Sequence, residues 1–176
     1  MRITGGTFKG RELKTVADKR TRYTTSLVRQ AIFNIIDVSE KSFLELFCGS
    51  AIVSFEAISR GAKNVVAVDI SRKSVSTVIE NSRKLGVKIN VVNSDFRRFL
   101  NSCIDSFDIV FADPPYNMGF VQVLLDTLSQ KDHIGEIIIV EKSASERFTL
   151  PDRFNLLKSK RYSDTELILL ERKPKD

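Results

Sequence analysis

The chain has 176 residues, 42% of them hydrophobic and 28% charged, the size and balance of one globular domain and too little for two. Lysine and arginine number 28 against 22 aspartate and glutamate, a formal charge of +6, and the excess lies wholly at the front: residues 1–36 hold eight basic and two acidic side chains, the remainder 20 of each. No apolar run approaches the roughly 20 residues that cross a bilayer, and no secretory core follows Met1. Cys48 and Cys103 have no pairing pattern, which points to a reducing cytoplasm without disulfides.

In chain order, residues 1–17 contain Gly5, Gly6 and Gly10 amid short alternating stretches, which suits a small hairpin. Behind Thr24, Thr25 and Ser26 as candidate caps, Leu27, Val28, Ala31, Ile32, Ile35 and Ile36 recur at helical spacing, predicting a helix to about Asp37 that lays one face on the core. Residues 1–36 are therefore expected as a basic extension, hairpin plus helix, on a domain formed by residues 37–176.

Five β-rich runs follow (SFLELF, NVVAVD, INVVNSD, FDIVFAD and EIIIVEK), with helical patterns between them. That alternation predicts an open, doubly wound, mostly parallel α/β sheet covered on both faces. Gly61 and Gly86 stand where two helices should stop. The tail, FNLLKSKRY and TELILLERK, has only Ser163 and Asp164 between its runs and must pair antiparallel. His133, the one histidine, stands in a polar stretch without a Cys or His partner at ligand spacing, so neither a metal site nor a Ser/His/Asp triad is expected.

Ligands of open α/β sheets bind outside the carboxyl ends of the strands. The first run ends Glu45-Leu46-Phe47-Cys48-Gly49-Ser50 and opens a helix, where backbone N–H groups are available. The second ends in Asp69, twenty residues beyond Gly49, the separation at which an acidic side chain grips ribose hydroxyls. The third ends in Asp95-Phe96, a carboxylate and an aromatic face suited to an adenine. Each of these aspartates is equally read as a helix N-cap; their succession on neighbouring strand ends points to a nucleoside site. Ala51 and Ser54 stand where a dinucleotide fingerprint needs glycines, which disfavours a pyrophosphate and a nicotinamide oxidoreductase.

The sharpest signal is Asp113-Pro114-Pro115-Tyr116 at the fourth strand end, in a chain with no earlier proline. Two prolines fix the backbone and donate no N–H, leaving rigid carbonyl acceptors between a carboxylate and an aromatic ring. Such a clamp fits a planar group bearing an –NH2, with Asp113 and the Pro114 carbonyl taking the amino hydrogens and Tyr116 stacking on the ring.

At these residues the chain resembles the class I S-adenosylmethionine-dependent methyltransferases that carry a D/N-P-P-Y motif and methylate exocyclic amines. It is more closely similar to the RsmD family, which methylates the N2 amine of a guanine in 16S rRNA of the small ribosomal subunit. The likeness runs through RITGGTFKGREL, TRYTTSLVRQAIFNII, LELFCGSAIVSFEAISRGA, VVAVD, DPPY, IIIVEKS and RYSDTELILL. It implies a Rossmann-like fold and S-adenosylmethionine as cofactor. Phe47, Cys48, Gly49 and Ser50 would line its methionine side, Asp69 would hold the ribose and Asp95 with Phe96 the adenine, with Thr24, Ile70 and Asp113 completing the site. Asp113, Pro114, Pro115 and Tyr116 would be catalytic. The chain departs from the family at Ala51, usually glycine, at Ser54 and Phe55, where a small residue is usual, at Tyr23, usually proline, and at Ser163, usually glycine.

On that reading the basic extension has a partner, and Arg2, Lys9, Arg11, Lys14, Lys19, Arg20 and Arg22 are expected to contact phosphates of 16S rRNA within a small-subunit particle. Two rivals stand beside it. A DNA adenine or cytosine amino-methyltransferase shares D/N-P-P-Y, but the chain has no evident DNA target-recognition domain. A catalytically lapsed RNA-binding assembly protein is kept open by Ala51.

Overall fold

A computed structural model describes residues 1–17 and 23–175. The elements in chain order are α1 (Ser26–Ile35), β1 (Ser42–Leu46), α2 (Ile52–Ser59), β2 (Lys63–Asp69), α3 (Arg72–Leu85), β3 (Asn90–Asn93), α4 (Phe96–Ser102), β4 (Phe107–Ala112), α5 (Phe120–Ser129), β5 (Ile134–Ser143), β6 (Phe154–Tyr162) and β7 (Thr165–Arg172). The strands form one sheet in the order β3-β2-β1-β4-β5-β7-β6. The first five run parallel, and β7 pairs antiparallel with both β5 and β6. The tail hairpin thus folds back so that its second strand, not its first, meets the domain. The expected α/β class is the observed one.

Side chains alternate across the sheet. On one face Phe43, Val65, Ala67, Ile109, Phe111, Ile139 and Leu167 pack under α1, α2 and α3. On the other Leu44, Leu46, Val66, Val68, Val110, Ala112, Ile138 and Val140 pack under α4 and α5. Seven of the eight residues of α2 are buried, so this helix is apolar nearly all round rather than amphipathic. Gly61 and Gly86 take φ of +96° and +69° just past α2 and α3, the left-handed stop their positions predict.

The extension differs in detail from its reading. The pairing of residues 1–3 with 11–13 is present as an isolated bridge, Arg2 to Glu12, rather than regular strands. Ile3 and Leu13 are buried in the same core cluster as Phe43 and Phe55, and Val16 is buried as well. In α1 the buried residues are Val28, Arg29, Ile32 and Phe33, whereas Leu27 is 63% exposed, so the face read from periodicity was rotated. The cause is electrostatic. Arg29 forms a buried ion pair with Glu56 of α2 at 3.4 Å, and its Nη atoms donate to the carbonyls of Thr24 and Arg2 at 2.6 and 2.9 Å. Glu56 also accepts from the Thr4 N–H and hydroxyl and from Arg60. An unpaired buried charge is costly, and this network ties the first residues of the chain and α1 to α2.

Candidate functional site

Strand order turns back between β1 and β4, because the chain leaves β1 outward to β2 and β3 and then returns to β4. That is the position where α/β sheets open a crevice. A cavity of about 340 Å³ lies there, lined by Tyr23, Thr24 and Glu45, by Phe47 to Ser50, by Asp69 to Ser71, and by Asp113 to Tyr116. A smaller one of about 130 Å³ adjoins it, sharing Phe47, Asp69, Ile70 and Pro115 and adding Ser94, Asp95, Phe96 and Phe120. All the residues expected to hold a nucleoside or carry the chemistry therefore border these two cavities.

The β1–α2 loop is sharply coiled. Phe47, Gly49 and Ala51 have φ of +58°, +53° and +55°, a left-handed conformation that costs roughly 1–2 kcal/mol for a residue with a side chain. The conformation is held by the Ala51 N–H donating to the Cys48 carbonyl (2.7 Å) and by Asp69, whose Oδ2 accepts from the Gly49 N–H at 2.8 Å. Asp69 Oδ1 accepts from the Ser71 N–H, also at 2.8 Å. Asp69 is consequently no N-cap: Ser71 caps α3. The side chain of Ser50 is buried in the cavity wall, and its hydroxyl has no hydrogen-bond partner among the described residues.

Asp95 does both things its position allows. It caps α4 through the Arg97 N–H at 2.9 Å and holds the Arg97 guanidinium at 2.9 and 2.8 Å. Those bonds pull its carboxyl down to about 2. Phe96 is buried against Phe47 and Phe120, with ring centroids 4.8 and 6.0 Å away, so the smaller cavity has an aromatic wall beside a carboxylate.

Pro114 is buried, Pro115 exposed and Tyr116 half-buried. The Tyr116 hydroxyl is bonded to Thr165 Oγ1 at 3.0 Å and to Glu141 Oε1 at 3.4 Å. The following residue is fixed too, since the Asn117 N–H donates to Glu146 at 3.0 Å. Glu146 is reached through Lys142, a buried ammonium that donates to the carbonyls of Ser143 and Glu146 and pairs with Glu166 at 2.7 Å. Sequence reading missed these supports, whose partners stand 25 to 49 residues from the motif. It also passed over Tyr23 as a wall residue; its hydroxyl donates to the Val16 carbonyl at 3.0 Å.

Glu45 faces the cavity from β1 and accepts from the Ser54 N–H at 2.7 Å. Burial pushes its carboxyl up to about 8. Burial likewise raises the Cys48 thiol.

Among the described residues, none of the extension's cations lines the cavity. The Thr7 and Phe8 N–H groups bond to Ser59, the last residue of α2, whose first turn lies at the cavity. An eight-residue helix is roughly 12 Å long, which places the backbone around Lys9 toward the opposite end of the sheet. Lys14 is paired with Glu80. Arg2, Lys9 and Arg11 have exposed side chains. Lys19, Arg20 and Arg22 lie outside the described residues.

A mostly parallel Rossmann-like sheet, with acidic strand ends and an Asp-Pro-Pro-Tyr turn over one crevice, defines a class I methyltransferase fold. The Escherichia coli protein yhhF superposes with a TM-score of 0.88 at 28% identity, covering 99% of both chains. In sequence the chain is 32% identical to YlbH of Bacillus subtilis over 159 residues, 86% of each chain. It is 29% identical to ribosomal RNA small subunit methyltransferase D of Escherichia coli over 166 residues, 91% of this chain and 84% of that one. Residues 1–171 match the family described as Conserved hypothetical protein 95. The chain belongs to that family, the RsmD methyltransferases.

Proposed function

We propose that the protein is an S-adenosylmethionine-dependent rRNA methyltransferase whose target is the N2 amine of a guanine in small-subunit rRNA. The observation that carries this is the convergence on one crevice of Asp69, Asp95 with Phe96, and Asp113 to Tyr116. The name of the Escherichia coli relative supports the substrate class.

The residues present fit the cofactor. The unpartnered Ser50 hydroxyl and the carboxylate of Asp69 face the larger cavity, and the smaller sets an aromatic wall beside a carboxylate, the chemistry that suits a purine. Phe47 to Ser50 would hold the methionine part, Asp69 and Ile70 the ribose, Asp95 and Phe96 the adenine, with Thr24 and Asp113 closing the site. Bound there, S-adenosylmethionine supplies a methyl group on a sulfonium centre.

The protein's own part is to position and to accept a proton. Asp113 and the Pro114 carbonyl orient the amine, and Tyr116 stacks on the base. Holding reactants in line is worth roughly 7–11 kcal/mol at best. The methylated amine is acidic and loses its proton to Asp113 or to water. The base must leave its stack to enter, which favours a loop or helix end. Of the basic extension, Arg2, Lys9, Arg11, Arg20 and Arg22 would bind phosphates of the RNA. Calorimetry with S-adenosylmethionine tests the assignment: Asp69→Ala should abolish measurable binding, and unaltered affinity would contradict it.

A further inference from the structure

The outer strand of the sheet, β6, carries a feature that the extension's charge had obscured. From Asn155 to Arg161 every side chain is exposed, and the segment holds three cations, Lys158, Lys160 and Arg161, with no carboxylate. Lys158 and Lys160 have no ion-pair partner among the described residues. Glu166, opposite Arg161, is already engaged by Lys142 at 2.7 Å and by the Ser159 hydroxyl. Arg161 is held by its Nε donating to the Ser163 carbonyl at 2.8 Å, in the turn that joins β6 to β7.

This row begins at the candidate site. Tyr162, the last residue of β6, pairs with Thr165, whose hydroxyl meets that of Tyr116. The same turn bonds the loop after β5, the Ala144 N–H donating to the Asp164 carbonyl at 2.8 Å. Lys160 shares a sheet face with Tyr162 and sits over its ring, 5.2 Å from the centroid. Lys158 is four residues from Tyr162, so at about 3.3 Å per residue the row runs some 13 Å outward from the crevice. That is the span of roughly three to four phosphates along one strand of a helix.

An exposed outer strand can also pair with another strand. Antiparallel pairing with a second copy would set these cations against their own counterparts, and like charges directly opposite are destabilising. Lysines on an outer strand oppose such pairing. The charge therefore fits a polyanion.

We propose that β6 is an RNA-tracking edge, with Lys158, Lys160 and Arg161 binding phosphates beside the nucleotide presented to Asp113 and Tyr116. This rests on the rRNA methyltransferase reading above. The test compares wild type, K158Q/K160Q/R161Q and a control, R83Q/K84Q/K88Q, which removes equal exposed charge from the last turn of α3 and the loop after it. Affinity for naked 16S rRNA is measured across a salt series, with S-adenosylmethionine binding as the readout of an intact site.

The β6 variant should bind RNA at least about tenfold more weakly and lose about two units of salt slope, at about 0.7 per phosphate contact. The single variants K158Q and K160Q should each lose about 0.7. S-adenosylmethionine binding should persist throughout. A β6 variant that binds RNA like wild type, or a control that loses as much, overturns the proposal. Wild-type protein that methylates rRNA while the β6 variant is unaffected overturns this inference alone; wild-type protein that neither binds nor methylates rRNA overturns the reading beneath it.

Discussion

The hydroxyl of Tyr116 lies 3.0 Å from Oγ1 of Thr165, so the aromatic ring after the two prolines is anchored from the inner strand of the C-terminal hairpin. One such hydrogen bond is worth about 1 kcal/mol, or roughly fivefold in rate. Tyr116→Phe and Thr165→Val should each lower methyl transfer by about that factor, and the double variant should be no worse than either single. Independent, multiplying losses in the double variant would show that the hydroxyls do not act through each other.

Asp113 is given the central chemical task. Asp113→Ala should cost at least about 2.7 kcal/mol of barrier, roughly a hundredfold in rate, whereas Asp113→Asn should retain part of the activity because its amide oxygen still accepts. Single-turnover rates with saturating cofactor make the comparison. Wild-type rates in the alanine variant would remove Asp113 from the chemistry.

Ala51 holds a left-handed φ of +55°, a conformation that favours glycine. Ala51→Gly relieves about 1–2 kcal/mol of backbone strain, partly offset by the greater freedom of glycine in the unfolded chain. The net expectation is a gain in stability of up to about 1 kcal/mol with cofactor affinity kept, read from denaturant unfolding and calorimetry. A clear loss of stability would mean that the Cβ makes a contact worth more than the strain.

Glu45 links the site to pH. Its carboxyl is pushed from an ordinary 4.5 to about 8 by burial, against the bond from Ser54. Between those values the unfolded chain has released a proton that the folded protein keeps, so this group makes stability fall as pH rises through the window. Glu45→Gln should flatten the stability curve between about pH 5 and 8. Parallel curves for the variant and wild type would contradict the shift.

Much of the fold was legible because its strands are short apolar runs and its helix stops are glycines; Gly61 and Gly86 stand where read. The face of α1 was not, because Arg29 is buried by a carboxylate 27 residues away, and periodicity counts arginine as solvent-facing. The order β5-β7-β6 was hidden for a related reason: two residues fix an antiparallel turn but not which of its strands meets the sheet. Strand ends announced the candidate site, since Asp69 and Asp113 follow apolar runs directly and Asp95 follows Val92 by three residues. Its supports, Thr165, Glu141, Glu146 and Lys142, come from distant chain and carry no motif. The basic extension was plain as composition, yet composition could not say that Lys14 is paired or that Thr7 and Phe8 pack at the C-terminal end of α2.

The most direct measurement is transfer of labelled methyl from S-adenosylmethionine to unmodified small-subunit particles, naked 16S rRNA and DNA, followed by nucleoside analysis. The account expects N2-methylguanosine from the particles or the rRNA and none from DNA. Methylated adenine or cytosine in DNA, or no transfer to any substrate, would contradict it.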